Sequence, residues 1–140
     1  MQCYLFETPS YLFFAPDIPD LLYYSHLPTV LIALLVGFTV FFNNPRALQN
    51  RLLLGISITF SFWVLISLFS WTSIEADFLT FIWPGFGVSA GLLSILCIYF
   101  VYVFLYKRDI GNPVKTIFIL LLLPLFLLSH TNLSLSGFNL

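Results

Sequence analysis

The sequence predicts an all-α, polytopic membrane protein with four transmembrane helices and both termini outside. Three observations predict it. The chain is 60% hydrophobic and only 8% charged, whereas a soluble domain carries roughly a quarter charged residues. So few charges do not cover a water-facing surface, and part of the solvent must be lipid. Four apolar stretches, none with a charge in its central part, alternate with short polar breaks. All five basic residues (Arg46, Arg51, Lys107, Arg108, Lys115) fall in two of those breaks.

Residues 1–20 read as an external, interfacial segment. Pro9, Pro16 and Pro19 rule out one long helix there. Tyr4, Tyr11, Phe13 and Phe14, with Tyr23 and Tyr24 further on, are aromatics of the kind that lie at a headgroup boundary. They read as an anchor rather than a ligand-contacting lid. Residues 1–14 contain no basic residue, so the positive flank of a cleaved signal peptide is missing. The first apolar helix is therefore expected to act as an uncleaved signal-anchor.

The first span is expected at about 21–42. Its clear apolar run begins at Leu27 and covers about 24 Å at 1.5 Å per residue, short of a hydrocarbon core of about 30 Å. Starting at Leu21 closes the gap and puts Pro28 in or near the first turn, where proline is tolerated. Asn43, Asn44 and Pro45 stop the helix. The second span, about 52–71, carries no charge and is long enough to cross. Its hydroxyls (Ser57, Thr59, Ser61, Ser67, Ser70) can bond back to helix carbonyls or across to a neighbour. Trp71 suits an aromatic belt. Trp63 is too deep for that and should face another helix.

The third span, about 78–106, is longer than one crossing requires. Pro84, Gly85 and Gly87 near its start allow a kinked helix or an interfacial turn followed by a helix. A single tilted helix kinked at Pro84 is the preferred reading. After it, Gly111-Asn112-Pro113 is a turn signal, and a fourth span is expected at about 114–131 with Pro124 inside it.

Lysine and arginine in short loops stay cytoplasmic. Both basic loops are therefore expected inside. The N-terminus, the loop with Glu75 and Asp77, and the tail are expected outside, in a multi-pass membrane protein.

Gly87 and Gly91 form a GxxxG pair; Ala90 and Ser94, Ala33 and Gly37, and Ser57 and Ser61 repeat the spacing. Small residues at this spacing let helix backbones approach closely, within the chain rather than between copies. The fourth span has almost nothing small and should pack through large residues or face lipid.

Several functions have no residues to carry them. A net charge of −1 leaves no basic surface for nucleic acid. No ionisable group sits mid-span as in ion-coupled transporters. No nucleotide-loop, hydrolase-elbow or metalloprotease pattern is present. Cys3 and Cys97 are expected to be buried or partly buried free thiols. His26 and His130, both near the outer boundary, lack a third ligand for a metal site. Asn132-Leu133-Ser134 fits a glycosylation sequon. No catalytic, cofactor-binding or metal-binding residue is assigned, and the chain as it stands is not expected to be an enzyme.

The order of features resembles the N-terminal seven-transmembrane region of bacterial sensor histidine kinases. The matching stretches begin with Tyr23-Tyr24-Ser25-His26, then Asn44-Pro45 through Asn50-Arg51-Leu52-Leu53 leading to Trp63. They continue with Tyr99-Phe100-Val101-Tyr102-Val103-Phe104, the Lys107-Arg108-Asp109 turn, and Pro124 followed by Thr131-Asn132 and Phe138-Asn139. The resemblance implies signal input, with seven helices joined to a cytoplasmic kinase or other output module. This chain matches the first four helices only and has neither a phosphoacceptor-histidine helix nor an ATP-binding domain. No catalytic residue of that family has a counterpart here. The expectation is a sensor part of a longer chain or a truncated relative. Its partners are then the lipid bilayer, with the remaining helices and cytoplasmic output domain, or a second copy. A four-helix assembly subunit is the alternative, and a neutral-solute transporter component ranks below it.

Overall fold

The computed structural model describes residues 19–73 and 76–128. It is all-helical in that range. The helices are α1 (Asp20–Asn43), α2 (Leu48–Thr72), α3 (Ala76–Ile82), α4 (Pro84–Tyr106) and α5 (Asn112–Leu128). Three spans are long and apolar enough to cross a membrane: Asp20–Asn43, Leu48–Thr72 and Phe78–Tyr106. The last is α3 and α4 taken together. α5 has 17 described residues, about 26 Å of helix. The expected interfacial segment before Pro19 and the last residues of the fourth span lie outside the described residues.

Each boundary has a local cause. α1 begins after Pro19, whose carbonyl accepts the Leu22 N–H at 2.9 Å. Asp20 puts a carboxylate in the first turn, where the helix dipole favours it. Pro28 lies inside α1 rather than in its first turn as the sequence suggested. The helix starts earlier than the apolar run because Asp20 and Pro19 supply a better beginning than Leu27. Pro28 removes one ladder hydrogen bond. Around it, the Ser25 hydroxyl donates to Leu22 O (2.9 Å) and the Thr29 hydroxyl to Ser25 O (2.6 Å). α3 and α4 together form the third span, interrupted at Trp83. Trp83 keeps helical dihedrals, and its N–H still reaches Leu79 O at 2.9 Å. Pro84 brings no N–H, and the chain continues through a tighter bond from Phe86 N–H to Trp83 O.

The helices stand in a row. Among the described residues α1 packs on α2, α2 on α4, and α4 on α5, with α3 bridging α2 and α4; α1 does not touch α4 or α5. The arrangement is an open series rather than a closed bundle. α2 is its centre, with seven buried residues against three on α1 and none on α5. On α1 the buried residues are Tyr23, Val30 and Gly37, a seven-residue repeat that keeps one stripe against a partner helix.

The α1–α2 seam is set by Gly37. A Cβ placed there would lie 2.7 Å from both Cβ and Oγ of Ser57, so only glycine lets the two backbones come this close. Ser57 is buried, and so is Ser61 one turn on. Thr59 and Ser70 donate back to their own helix, to Gly55 O (2.9 Å) and Ile66 O (2.8 Å). Ser61 Oγ is buried with no hydrogen-bond partner among the described residues. The α2–α4 seam runs along the other side of α2. Trp63 stacks on Phe60 and meets the Phe86 ring edge-on at 6.2 Å, as its depth required. Gly85 faces the Ile66 side chain and Gly55 faces Leu96.

The expected GxxxG face divides. Gly91 packs against Leu125 and Leu122 of α5, while a Cβ at Gly87 would meet nothing within 4 Å. Cys97 is exposed on α4, which corrects the expectation of a buried or partly buried thiol. Its apolar neighbourhood is set by lipid-facing residues such as Ile98 and Val101, not by a helix seam. Cys3 lies outside the described residues.

The three glycines should therefore respond differently to alanine. Gly37→Ala forces Ser57 and its backbone away and should cost about 1–3 kcal/mol. Gly91→Ala meets only the far end of a leucine and should cost less. Gly87→Ala should be neutral or stabilising by up to about 1 kcal/mol through helix propensity. Thermal unfolding of the three variants in detergent gives the order.

Candidate functional site at the basic end

The two basic breaks of the sequence come together at one end of the row. The first is a tight connection between α1 and α2. Asn44, in extended conformation, caps α1, and its carbonyl accepts the Ala47 N–H. The Asn50 side-chain amide then donates to Val40 O and to Asn44 O, both at 3.0 Å. One asparagine on α2 thus satisfies two carbonyls at the end of α1, which has no further helical N–H to offer them. Each such bond contributes about 1 kcal/mol net. Arg51 Nε donates to Pro45 O at 2.8 Å, which fixes the turn proline over the start of α2.

The second break starts at Lys107, which takes the left-handed conformation with φ 53. Its N–H bonds to Val103 O at 3.0 Å and ends α4 in the way glycine usually does. Lys107 Nζ lies 5.0 Å above the Phe104 ring and the Arg108 guanidinium 5.9 Å from the Tyr106 ring. These cations rest on aromatic faces, an attraction that grows where water is scarce. Ile110 is buried beneath the loop and pins it to the helices.

Asp109 collects the polar contacts of this loop. The Tyr99 hydroxyl donates to its Oδ1, and Lys115 Nζ donates to its Oδ2 at 2.6 Å. Lys115 also lies 5.9 Å from the Tyr99 ring. The loop is thereby tied to α4 on one side and to the first turn of α5 on the other. The Lys115 ammonium, and next the Tyr99 hydroxyl, hold the Asp109 carboxyl below its ordinary value of 3.8.

Between the two breaks lies an open cavity of about 240 Å³. Leu48 and Gln49 at the start of α2 line one side, and Val103, Lys107, Arg108 and Asp109 line the other. Ala47 also faces it and gives α2 no side-chain cap. Lys115–Asp109 is the ion pair among the described residues. Arg46, Arg51, Lys107 and Arg108 face no carboxylate there.

At the opposite end, His26 joins α1 to α2. Its Nδ1 lies 2.9 Å from Leu22 O and its Nε2 lies 3.4 Å from Ser67 Oγ. With Nδ1 carrying the proton, Nε2 accepts from the serine hydroxyl. His130, which the sequence placed near the same boundary, lies outside the described residues, as do the Asn132 sequon and Glu75. Among the described residues no three His, Cys, Asp or Glu side chains gather in a way that would hold a metal.

No family model, curated protein or solved structure matches this chain.

Sequence reasoning located both basic loops but not their internal bonds. The Asn50 clamp was readable only as a polar residue two positions before the second apolar run. Tyr99, Asp109 and Lys115 are separated by ten and six residues, and nothing in that spacing announces a cluster until the loop geometry is known.

The depressed Asp109 titration sets the sign of a pH effect. A group whose folded value lies below its unfolded one stabilises the fold fully above the unfolded value, and that contribution is lost as pH falls through the folded value. Wild-type thermal stability in detergent should therefore fall more below about pH 4 than that of Asp109→Asn. Between pH 5 and 7 the offset between the two proteins should be constant. The effect should be small, because the carboxylate is half exposed and water screens it.

Proposed function

We propose that this chain is the membrane-embedded input part of a bacterial signal-transduction protein, a sensor region whose helices act on a histidine kinase output. The observation that carries the reading is the seating of α5. Among the described residues it packs on α4 alone, has no buried residue, and leaves Leu120, Leu121 and Leu127 exposed. A helix held by one shallow seam is suited to receive further helices, and the seven-helix sensor regions that the sequence resembles have three more. With α5 as a fourth crossing after the three long spans, the output would be reached through helices packed on α5.

Sidedness is part of the proposal. Both basic loops lie at one end of the row, around the same cavity, which fits one cytoplasmic face under the positive-inside rule. Reporter fusions check it: a reporter at Leu48 is expected to read cytoplasmic and one at Ser73 external, and reversed signals would overturn this topology.

A second reading draws on the same α5 surface. A self-assembling membrane subunit would cover it with another copy of the chain. Photocrosslinkers at Leu121 and Leu127, placed in native membranes, separate the two. Adducts to a histidine kinase, or to further helices joined to one, support the sensor reading. Adducts to a second copy alone favour the subunit. Crosslinks to lipid only would count against both.

A further inference from the structure

We propose that the cavity at the basic end binds the phosphate of an anionic glycerophospholipid headgroup. The inference rests on the helices crossing a membrane and is independent of what the protein signals to.

Charge is the first ground. The two loops and the helix starts beside them hold Arg46, Arg51, Lys107, Arg108 and Lys115 against Asp109, and Lys115 already pairs with that carboxylate. Lys107 and Arg108, which line the cavity, have no carboxylate partner among the described residues. An anion entering the cavity would meet the cations Lys107 and Arg108 and the Gln49 amide, with the Asp109 carboxylate on the same wall already paired to Lys115. Basic pockets between membrane helices on the cytoplasmic side recognise anionic headgroups through this chemistry.

Size and depth select the source of the phosphate. A volume of about 240 Å³ is below the roughly 300–1,000 Å³ of pockets that enclose drug-sized molecules. It suits a headgroup whose chains stay outside. The cavity sits where α2 begins and α4 ends, at the boundary of two membrane-spanning segments. The neighbouring Phe104, Leu105 and Tyr106 are more than half exposed. Acyl chains have an apolar surface to follow from the site, whereas a soluble phosphate would have no use for it.

The backbone supplies a further sign. Lys107 is the one non-glycine residue at positive φ among the described residues. Glycine would fit that position at no steric cost, yet the residue there is a cation lining the cavity. Strained conformations of this kind are retained where the side chain has a task.

Native mass spectrometry of the full chain, released from detergent with equal phosphatidylglycerol and phosphatidylcholine, tests the site. Wild type is expected to retain phosphatidylglycerol preferentially. The double substitution Lys107→Gln/Arg108→Gln should weaken that retention roughly ten- to thirty-fold, as loss of two surface cations predicts. Arg46→Gln, outside the cavity lining, should weaken retention well short of the double substitution, by at most about five-fold on the same scale. Gln49→Glu leaves the loop of Lys107 untouched and should weaken retention by placing a carboxylate at the site, so the proposal stays testable if the double variant fails to fold. Equal retention of both lipids would overturn the proposal. So would equal losses in Arg46→Gln and the double variant. Thermal stabilisation by inorganic phosphate that matches phosphatidylglycerol would overturn the lipid assignment.

Discussion

The close approach of Gly37 to Ser57 is the constraint on which the rest depends. It decides how near α1 and α2 lie, and α2 is the helix against which the row is assembled. At one end of this seam His26 reaches Ser67. At the other, Asn50 takes up the last carbonyls of α1. Between them, glycine opposite serine removes the side-chain bulk that would separate two helices of mostly large residues. Lipid offers no hydrophobic advantage to pairing apolar helices, so close packing and polar bonds must provide it. The α1–α2 hairpin has both.

The seams weaken along the series in a way that follows from residue size. α2 and α4 meet through rings and through glycines facing aliphatic side chains. α4 and α5 meet where one glycine, Gly91, admits Leu125. α5 has few small residues of its own, so its backbone stays at a distance and its surface stays open. The polar tie between these helices lies outside the apolar region, in Tyr99, Asp109 and Lys115. The basic end is therefore held by hydrogen bonds, while along its apolar length α5 meets α4 where Leu125 and Leu122 pack on Gly91.

Much of this was legible from the residues. Hydropathy and charge placed the helices, and the break before Pro84 follows from a missing N–H. The positions of Arg46, Arg51, Lys107, Arg108 and Lys115 located both connections of the basic end. Other features were not legible, for definite reasons. Spacing shows that Gly87 and Gly91 share a face, but not that the neighbouring helix reaches only Gly91. An apolar run around Cys97 cannot distinguish lipid from a helix partner, because both select the same side chains. The expected start at about Leu21 agrees with the observed Asp20, and counting from it puts Pro28 about two turns into the helix rather than in its first turn. The cavity and the Asp109 cluster depend on one left-handed residue, and Lys107 carries no sequence signal for that conformation.

The serial order of the seams also bears on how the protein is made. Among the described residues each long helix packs against the long helix that precedes or follows it in the chain. Every seam can therefore form as soon as its second helix leaves the ribosome and enters the bilayer. No early helix has to wait unpaired for a distant one. Assembly is then a succession of hairpin closures between near neighbours in sequence, the topology that loses least entropy in bringing partners together. The α1–α2 hairpin closes first, so the tightest seam in the molecule is also available as the template for all that follow.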